Sequence, residues 1–287
     1  MKFIVSFTTS PTRINKCEIM LQSILNQTRK ADLIILNIPK IFQRTGEEYN
    51  IPKNFSDKIT INIIDRDFGP ATKIIPTIKY LNDNQYNIND TCIIYLDDDI
   101  KYMNRMIESY EKTILNNDNT VWGAIGFDFI DNKIKHKIKH NSKCSIIEGY
   151  AGVCVKLSIF ENDFFEYIEK YINDIDCRLS DDVILSNYYH KKNIKINIIS
   201  IPKYYSIDEM LIRGAILDYG NGEDALHNGA NGLVESNFNR YNKVIDILNN
   251  NNDYYIKINN KINNNVNNNV IKFSLNKRFL NIISKKI

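Results

Sequence analysis

The stretch Cys92-Ile93-Ile94-Tyr95-Leu96-Asp97-Asp98-Asp99-Ile100 joins an apolar run to three consecutive carboxylates. Because the run is apolar on both faces rather than alternating, it predicts a buried strand of a parallel sheet. Adjacent acidic side chains repel one another and resist burial, and a divalent cation is the simplest partner that makes such a cluster favourable. Open α/β sheets bind ligands at the carboxyl ends of their strands, which is where these aspartates fall. The stretch therefore predicts a ligand site with a bound cation.

A purely structural interpretation of the same aspartates is also open. Residues 102–115 are predicted to form a helix, and the N-terminus of a helix favours negative charge through capping and the helix dipole. In that case one aspartate caps the helix and the other two are solvated.

The chain before this stretch alternates between strand and helix patterns. Short apolar runs predict three strands, at residues 2–7, 32–38 and 59–64. Residues 14–27 and 71–82 carry apolar side chains at helical spacing, and Pro76 is expected to bend the second helix or shift its start. This alternation predicts an α/β fold with a mostly parallel, doubly wound sheet that is flanked by helices.

The chain after this stretch continues the pattern less regularly. Further strands are predicted at residues 121–129 and 195–200, and helices at residues 159–171 and 237–248. Residues 133–140 alternate basic and apolar side chains, which predicts a small exposed antiparallel ribbon whose charges block edge pairing. A contact with an acidic acceptor or with phosphate is the functional alternative for this ribbon.

Two other motifs have both a structural and a functional explanation. Gly149 and Gly152 bracket Tyr150-Ala151 between apolar runs, as in a hairpin turn or where the backbone closely approaches a ligand. Asp181 and Asp182 follow Ser180, and a helix N-terminus accounts for all three residues. A carboxylate that points from such a helix into a cleft is also a good general base.

Composition limits the class of protein and its compartment. The chain has 287 residues, 37 basic and 34 acidic side chains and a formal net charge of +3, so it offers no basis for nucleic-acid binding. Five scattered cysteines without a CxxC pair predict structural thiols in a reducing compartment, hence the cytoplasm. The first residues are too quickly polar for a signal peptide, and no apolar stretch reaches the length of a membrane span.

The last part of the sequence changes character. Residues 249–269 are rich in Asn and predict a flexible segment, whereas residues 270–287 regain an apolar and basic spacing. We expect a C-terminal helix there, and packing on the domain, contact with a partner and peripheral binding to an anionic membrane all remain open.

Together these motifs resemble the nucleotide-sugar glycosyltransferases of the GT-A fold, in a family-2-like group. The resemblance is carried by residues 3–14, 67–73, 97–99 (a DxD motif), 148–152 and 180–183, in that order and spacing. It covers roughly the first 230 residues, by a comparison of motifs along the chain. The domains implied are a glycosyltransferase domain at 1–240 and an Asn-rich segment with a C-terminal helix at 241–287.

The resemblance also implies a reaction and a set of ligands. The expected activity is transfer of a hexosyl or N-acetylhexosaminyl group from a nucleotide-diphosphate sugar, with UDP favoured, to a hydroxyl of a glycan, lipid or protein. Such an enzyme of glycan biosynthesis would use Mn²⁺ or Mg²⁺ to neutralise the departing diphosphate. Because no nucleophile for a double displacement stands out, direct displacement with inversion is expected.

The implied roles fall on particular residues. Asp99 would bind the metal directly, Asp97 would reach the ribose or, through water, the metal, and His227 would add a further metal ligand from a late loop. Asp182 would be the catalytic base, with Asp181 as its substitute. The nucleotide-sugar would be held by the remaining candidates, namely Thr8, Arg13, Asp65, Lys73, Asp97, Asp98, Gly149, Tyr150 and Gly152.

Other functions remain possible from the sequence. A nucleotide-sugar-binding scaffold without turnover would keep the same fold, and a glycoside hydrolase would use a pair of carboxylates without nucleotide or metal. A phosphotransferase of the haloacid-dehalogenase type is disfavoured, because Lys101 stands where that chemistry needs Thr or Val.

Overall fold

The computed structural model of the chain describes residues 1–55, 57, 59–115, 119–130, 133–137, 139, 141–199, 226 and 236–257. Within these residues, one large sheet is built from β1 (Lys2–Phe7), β2 (Leu33–Pro39), β3 (Thr60–Ile64), β4 (Thr91–Tyr95), β5 (Thr120–Gly123), β9 (Val153–Lys156) and β10 (Lys195–Ile198). Their order across the sheet is β10-β5-β9-β4-β1-β2-β3. Strand β9 is antiparallel to both of its neighbours, and the other pairs of neighbours are parallel.

Helices cover both faces of this sheet, because alternate residues of its central strands point to opposite sides. Phe3 and Val5 of β1 pack on one side with α1 (Glu18–Leu25) and α3 (Met106–Ile114). Ile4 packs on the other side with the helices α2 (Ile75–Asp83), α4 (Phe164–Tyr171), α6 (Asp181–Lys191) and α7 (Asn237–Asn250). The short helix α5 (Ile175–Arg178) precedes α6. This arrangement confirms the predicted mostly parallel, doubly wound sheet.

A separate antiparallel sheet is formed by β6 (Gly126–Ile130), β7 (Lys133–Lys137) and β8 (Ile146–Ile147), in the order β7-β6-β8. The predicted basic ribbon is therefore an edge strand, as expected. The single strand predicted over residues 121–129 is wrong, because the chain leaves the large sheet after Gly123 and enters the small one at Gly126. The hairpin explanation for residues 146–155 is also wrong, since β8 and β9 belong to different sheets.

Two helix boundaries affect how the site is interpreted. Helix α3 begins at Met106 with Arg105 at its N-cap, so Asp97, Asp98 and Asp99 lie outside its first turn. The capping explanation of the triplet is therefore wrong. Helix α7 runs from Asn237 to Asn250 without a break at the predicted boundary of residue 240, and its Tyr241 is buried in the core.

The remaining expectations about the chain have a mixed outcome. All five cysteines are buried and none forms a disulfide bond, as predicted for structural thiols. None of the described helices is long and apolar enough to cross a bilayer. The predicted C-terminal helix at 270–287 and most of the Asn-rich segment lie outside the described residues.

Candidate functional site

The order of the strands places one edge of the sheet where a ligand is expected. Strands β2 and β3 lie on one side of β1, whereas β4 lies on the other, so the direction of winding reverses between β1 and β4. In open α/β sheets this reversal leaves a crevice at the carboxyl ends of the strands. Half-buried Thr8 follows β1, and the triplet of aspartates follows β4.

Asp98 joins these two strand ends. Its buried carboxylate accepts hydrogen bonds from Thr9 Oγ1 at 2.5 Å, from Arg13 Nη2 and from Cys17 Sγ at 3.8 Å. Burial raises the pKa of Asp98, while Arg13 and Thr9 oppose that rise. These hydrogen bonds hold the residues after β1 against the end of β4.

Asp99 shares Arg13 with its neighbour, because the same Nη2 lies 3.0 Å from Asp99 Oδ2. Burial raises the pKa of Asp99 to about 7, and the charges of Asp97 and Asp98 add to the effect while Arg13 opposes it. One guanidinium therefore does not balance the carboxylates around it, and an additional cation would be favourable here.

Lys73 connects the triplet to the second acidic motif. Its ammonium Nζ lies 2.8 Å from Asp97 Oδ1 and 3.0 Å from Asp181 Oδ2, and only 4% of its side chain is exposed. Although burial alone lowers the pKa of Lys73, the carboxylates of Asp181 and Asp97 raise it above its usual range. The amine is therefore charged and held between two parts of the chain that are distant in sequence.

A buried polar network beneath Lys73 was not predicted. Ser6 Oγ donates to the Lys73 carbonyl at 2.5 Å and lies 2.6 Å from Thr77 Oγ1. Asn37 Nδ2 donates to both Ser6 and Thr77, at 3.0 and 2.8 Å, and its Oδ1 accepts from Asn62 Nδ2 at 2.7 Å. The only signal in the sequence is one polar residue inside each of three apolar strands.

Asp182 lies at the start of α6, beside Asp181, and is partly exposed. Its Oδ1 accepts from the Gly149 backbone N–H at 2.8 Å, and its Oδ2 accepts from the Tyr241 hydroxyl at 3.3 Å. Burial and Asp181 raise the pKa of Asp182 well above its usual value, against the effect of Lys73. Ser180 occupies the N-cap position but makes no capping bond through its side chain.

The glycine motif lies against these charges. A side chain at Gly149 would place Cβ 2.8 Å from Lys73 Nζ, so only glycine fits there without moving the amine. Gly152 has a φ of 87°, which favours glycine, in the turn that leads into β9. The carbonyl of half-buried Tyr150 accepts from the Tyr102 hydroxyl at 2.6 Å, and the Asp97 backbone N–H donates to the same hydroxyl at 3.0 Å. Tyr102 thereby links the glycine motif to the triplet, which the sequence did not predict.

Asp65 has different surroundings from the other predicted residues. Its carboxylate is 87% exposed and pairs with Lys40 Nζ at 2.6 Å. Asp67 lies nearer to the crevice, since it and Asp98 both contribute, after burial, to the raised pKa of Tyr49. The Tyr49 hydroxyl donates to the Thr9 carbonyl at 2.9 Å, directly beside the Asp98 contact.

Two of the three predicted metal ligands, Asp97 and Asp99, lie within the described residues. Within them, no three His, Cys, Asp or Glu side chains converge as a metal-binding group. Asp97 and Asp99 supply carboxylate oxygens of the type that Mg²⁺ and Mn²⁺ prefer. The third predicted ligand, His227, lies outside the described residues.

Comparison with known proteins gives distant structural similarity. No protein-family model matches the chain, and no curated protein matches it in sequence. The crystal structure of S. aureus TarS 1-349 in complex with UDP is similar with a TM-score of 0.45 and 10% identity, covering 70% of this chain and 58% of that one.

Two further solved structures of the same protein are similar to the chain. A second structure of TarS 1-349 has a TM-score of 0.44 and 10% identity, covering 71% of this chain and 58% of that one. A structure of S. aureus TarS has a TM-score of 0.45 and 11% identity, with coverage of 70% and 35%. The chain thus spans less than two thirds of each of these structures. TM-scores below 0.5 at this identity do not establish a shared function.

Proposed function

We propose that this protein is a GT-A glycosyltransferase that moves a sugar from a nucleotide-diphosphate donor, with UDP favoured, to an acceptor hydroxyl. One observation carries the proposal. Two acidic motifs that are far apart in sequence, residues 97–99 and 181–182, meet around Lys73 at the crevice where the sheet reverses its winding. This arrangement supports a site in which a charged leaving group would bind and a separate carboxylate would act as base.

The donor half of the site is built by the ends of β1 and β4. Arg13 offers a guanidinium suited to a diphosphate, while Asp97 and Asp99 would hold Mn²⁺ or Mg²⁺ together with His227. The bound metal would supply charge neutralisation at the diphosphate as it leaves. Thr8, Asp65, Lys73 and Asp98 are proposed around the nucleotide, and the contacts of Asp98 with Thr9 and Arg13 suit an indirect role for it.

The acceptor half is built by the start of α6 and the glycine motif. Asp182 would take the proton of the acceptor hydroxyl as the acceptor oxygen bonds to the anomeric carbon. The bond from that carbon to the diphosphate breaks, and the diphosphate leaves with the electron pair. Because the charge of Asp181 is paired with Lys73, the partly exposed Asp182 is the better base. A base on an element separate from the triplet suits inversion by direct displacement.

The finer points are proposed from the resemblance alone. The sugar would be a hexosyl or N-acetylhexosaminyl group, and the acceptor a glycan, lipid or protein. Gly149, Tyr150 and Gly152 would line the sugar and acceptor side. We propose a cytoplasmic protein, and a contact of the C-terminal segment with a membrane or partner remains a prediction.

Donor binding can be tested by thermal unfolding with UDP and Mn²⁺ together. A ligand at about 100 times its Kd stabilises the folded state by about 2.7 kcal/mol, which predicts a rise in Tm of about 5 °C. The Asp99→Asn variant should lose this rise, because it removes the charge of a proposed metal ligand. The matched control is Asp83→Asn, an exposed residue that pairs with Lys79 on α2, and it should keep the rise. If no nucleoside diphosphate raises the Tm in the presence of Mn²⁺ or Mg²⁺, the proposal is wrong.

A further inference from the structure

Helix α7 provides a hydrogen-bond donor to the candidate base Asp182, although this helix lies far from both acidic motifs in the sequence. The Tyr241 hydroxyl donates to Asp182 Oδ2 at 3.3 Å, while the Gly149 backbone N–H donates to Asp182 Oδ1 at 2.8 Å. Each carboxylate oxygen thus has a donor from a different element. Two such donors fix the plane of the carboxylate, which one donor alone does not.

The ring of Tyr241 is held independently of its hydroxyl. It is 4% exposed and stacks on Phe127 of β6, with ring centroids 5.7 Å apart and an angle of 14° between the planes. Buried aromatic pairs of this kind stabilise their arrangement beyond the area that they bury. A phenylalanine at position 241 would therefore keep the packing and remove only the hydrogen bond.

The neighbouring residue on α7 fixes the helix against the start of α6. Arg240 Nη2 donates to the Leu179 carbonyl at 3.2 Å and to Asn237 Oδ1 at 2.5 Å, and Nη1 donates to the Leu226 carbonyl at 3.1 Å. Leu179 lies just before the acidic pair of α6. The distance between the Tyr241 hydroxyl and Asp182 is therefore fixed by the stacking of Tyr241 on Phe127 and by the hydrogen bond from Arg240 to Leu179.

The charges that face Asp182 come from several elements. Asp181 and Glu148 are negative and raise its pKa, after the larger effect of burial, while Lys73 lowers it. Arg240 of α7 is also within electrostatic range. The charge of Asp182 also contributes, after burial, to the raised pKa of three further tyrosines, namely Tyr95, Tyr150 and Tyr189. Against the effects of burial, Asp181 and Glu148, a hydroxyl that donates to the carboxylate favours its ionised form.

We propose that Tyr241 is a positioning residue, which favours the ionised form of the Asp182 carboxylate and fixes its orientation for removing the acceptor proton. This rests on the proposed function in one respect only, the role of Asp182 as base. With this role for Tyr241, α7 is part of the candidate site.

The test compares Tyr241→Phe with the wild type by release of UDP from UDP-glucose and UDP-N-acetylglucosamine in the presence of Mn²⁺. Loss of a hydrogen bond to a charged group predicts that the acid limb of the rate profile moves up by about one pH unit. The rate below that limb should fall about tenfold, while the KM for the donor stays unchanged. The matched control is Tyr167→Phe, which removes the buried hydroxyl of a tyrosine on α4, one that donates to the Ile184 carbonyl of α6 at 2.9 Å. It should leave the acid limb in place.

A second readout does not need turnover. Carbon-13 NMR of the aspartate carboxyl carbons, with Asp182→Asn to assign the signal, should show a higher pKa for Asp182 in Tyr241→Phe than in the wild type or Tyr167→Phe. An unchanged pKa in Tyr241→Phe would overturn the positioning role even if the enzyme is active. If neither sugar nucleotide is turned over but the NMR shift is seen, the choice of substrate or the proposed function fails while the contact with Tyr241 stands.

Discussion

Two groups of buried or partly exposed acidic side chains, one around Asp253 and one around Asp182, have pKa values that are shifted in opposite directions. Asp253, just after α7, accepts hydrogen bonds from Tyr171 at 2.6 Å and Lys170 at 2.8 Å, and Lys191 lies 3.8 Å away. Although burial alone raises its pKa, these partners lower it. Asp182 lies beside another aspartate, and burial together with that neighbour raises its pKa instead.

The difference separates structural carboxylates from functional ones. Asp253 is ionised and matched by cations, so its charge contributes to the stability of the fold. At the crevice, the aspartates outnumber the basic side chains Arg13 and Lys73 that pair with them. Such an arrangement costs stability and is typical of sites where a ligand or a reaction supplies the compensation.

The largest expected effect is on catalysis by Asp182→Asn. The amide can still accept from Gly149 and place its NH₂ group toward Tyr241, so the fold should be retained. Removing a general base predicts a loss of sugar transfer of about 10³-fold, without a lower Tm. The measurements are UDP release and thermal unfolding. If the variant keeps its transfer rate, Asp182 is not the base. If its Tm falls below that of the wild type, the carboxylate has a structural role like that of Asp253.

For Asp253→Asn we expect a smaller effect, and we expect it on stability rather than on catalysis. The variant removes a charge that Lys170 and Lys191 need, while the hydrogen bond from Tyr171 can persist. Because Lys170 is 44% exposed, we expect a modest loss of about 1.5 kcal/mol in the free energy of unfolding. Urea denaturation would measure it. The rise in Tm with UDP and Mn²⁺ should be as large as in the wild type, and its disappearance would remove the distinction between the two groups.

The smallest expected effect is a pair of opposite slopes of stability with pH. Between about pH 3.9 and its raised pKa, folded Asp182 keeps a proton that the unfolded chain has lost. Its contribution to stability is therefore greatest at low pH and falls as the pH rises through this window, by less than about 1.4 kcal/mol per pH unit. Asp253 contributes above about pH 3.9 and loses its contribution as the pH falls through its lowered pKa.

These slopes can be isolated by subtraction. The free energy of unfolding of each Asp→Asn variant is subtracted from that of the wild type at every pH. The difference should decrease with rising pH for Asp182 and increase for Asp253. Slopes of the same sign would contradict the contrast between the two groups.

The sequence predicted the sheet well because its strands are buried on both faces. Continuous apolar runs at residues 2–7, 32–38 and 59–64 give strands within one residue of those observed. The same signal failed at residues 121–129, where Ala124 and Ile125 are as buried as the strands around them. An apolar pattern records burial, and it does not record that the chain has passed from one sheet to another.

The sequence predicted the acidic residues of the candidate site, but it did not predict the residues that hold them in place. Asp97–Asp99 stand out as three adjacent carboxylates directly after an apolar run, and Asp181–Asp182 stand out as an acidic pair after Ser180. Ser6, Asn37 and Tyr241 are ordinary residues in sequence, and their importance comes from contacts with residues far away in the chain. Such contacts depend on how elements pack, which a local pattern does not contain.

The antiparallel strand β9 has a consequence for how the protein can vary. Gly123 of β5 and Val153 of β9 are paired neighbours, so the ends of the intervening segment are held about 5 Å apart. That segment carries the whole small sheet and the glycine motif beside Asp182. Because closing a longer loop costs little extra free energy, this segment can be extended at positions away from Phe127 and the glycine motif while the large sheet keeps its register. The fold thereby separates the part that can diversify from the part that must stay constant.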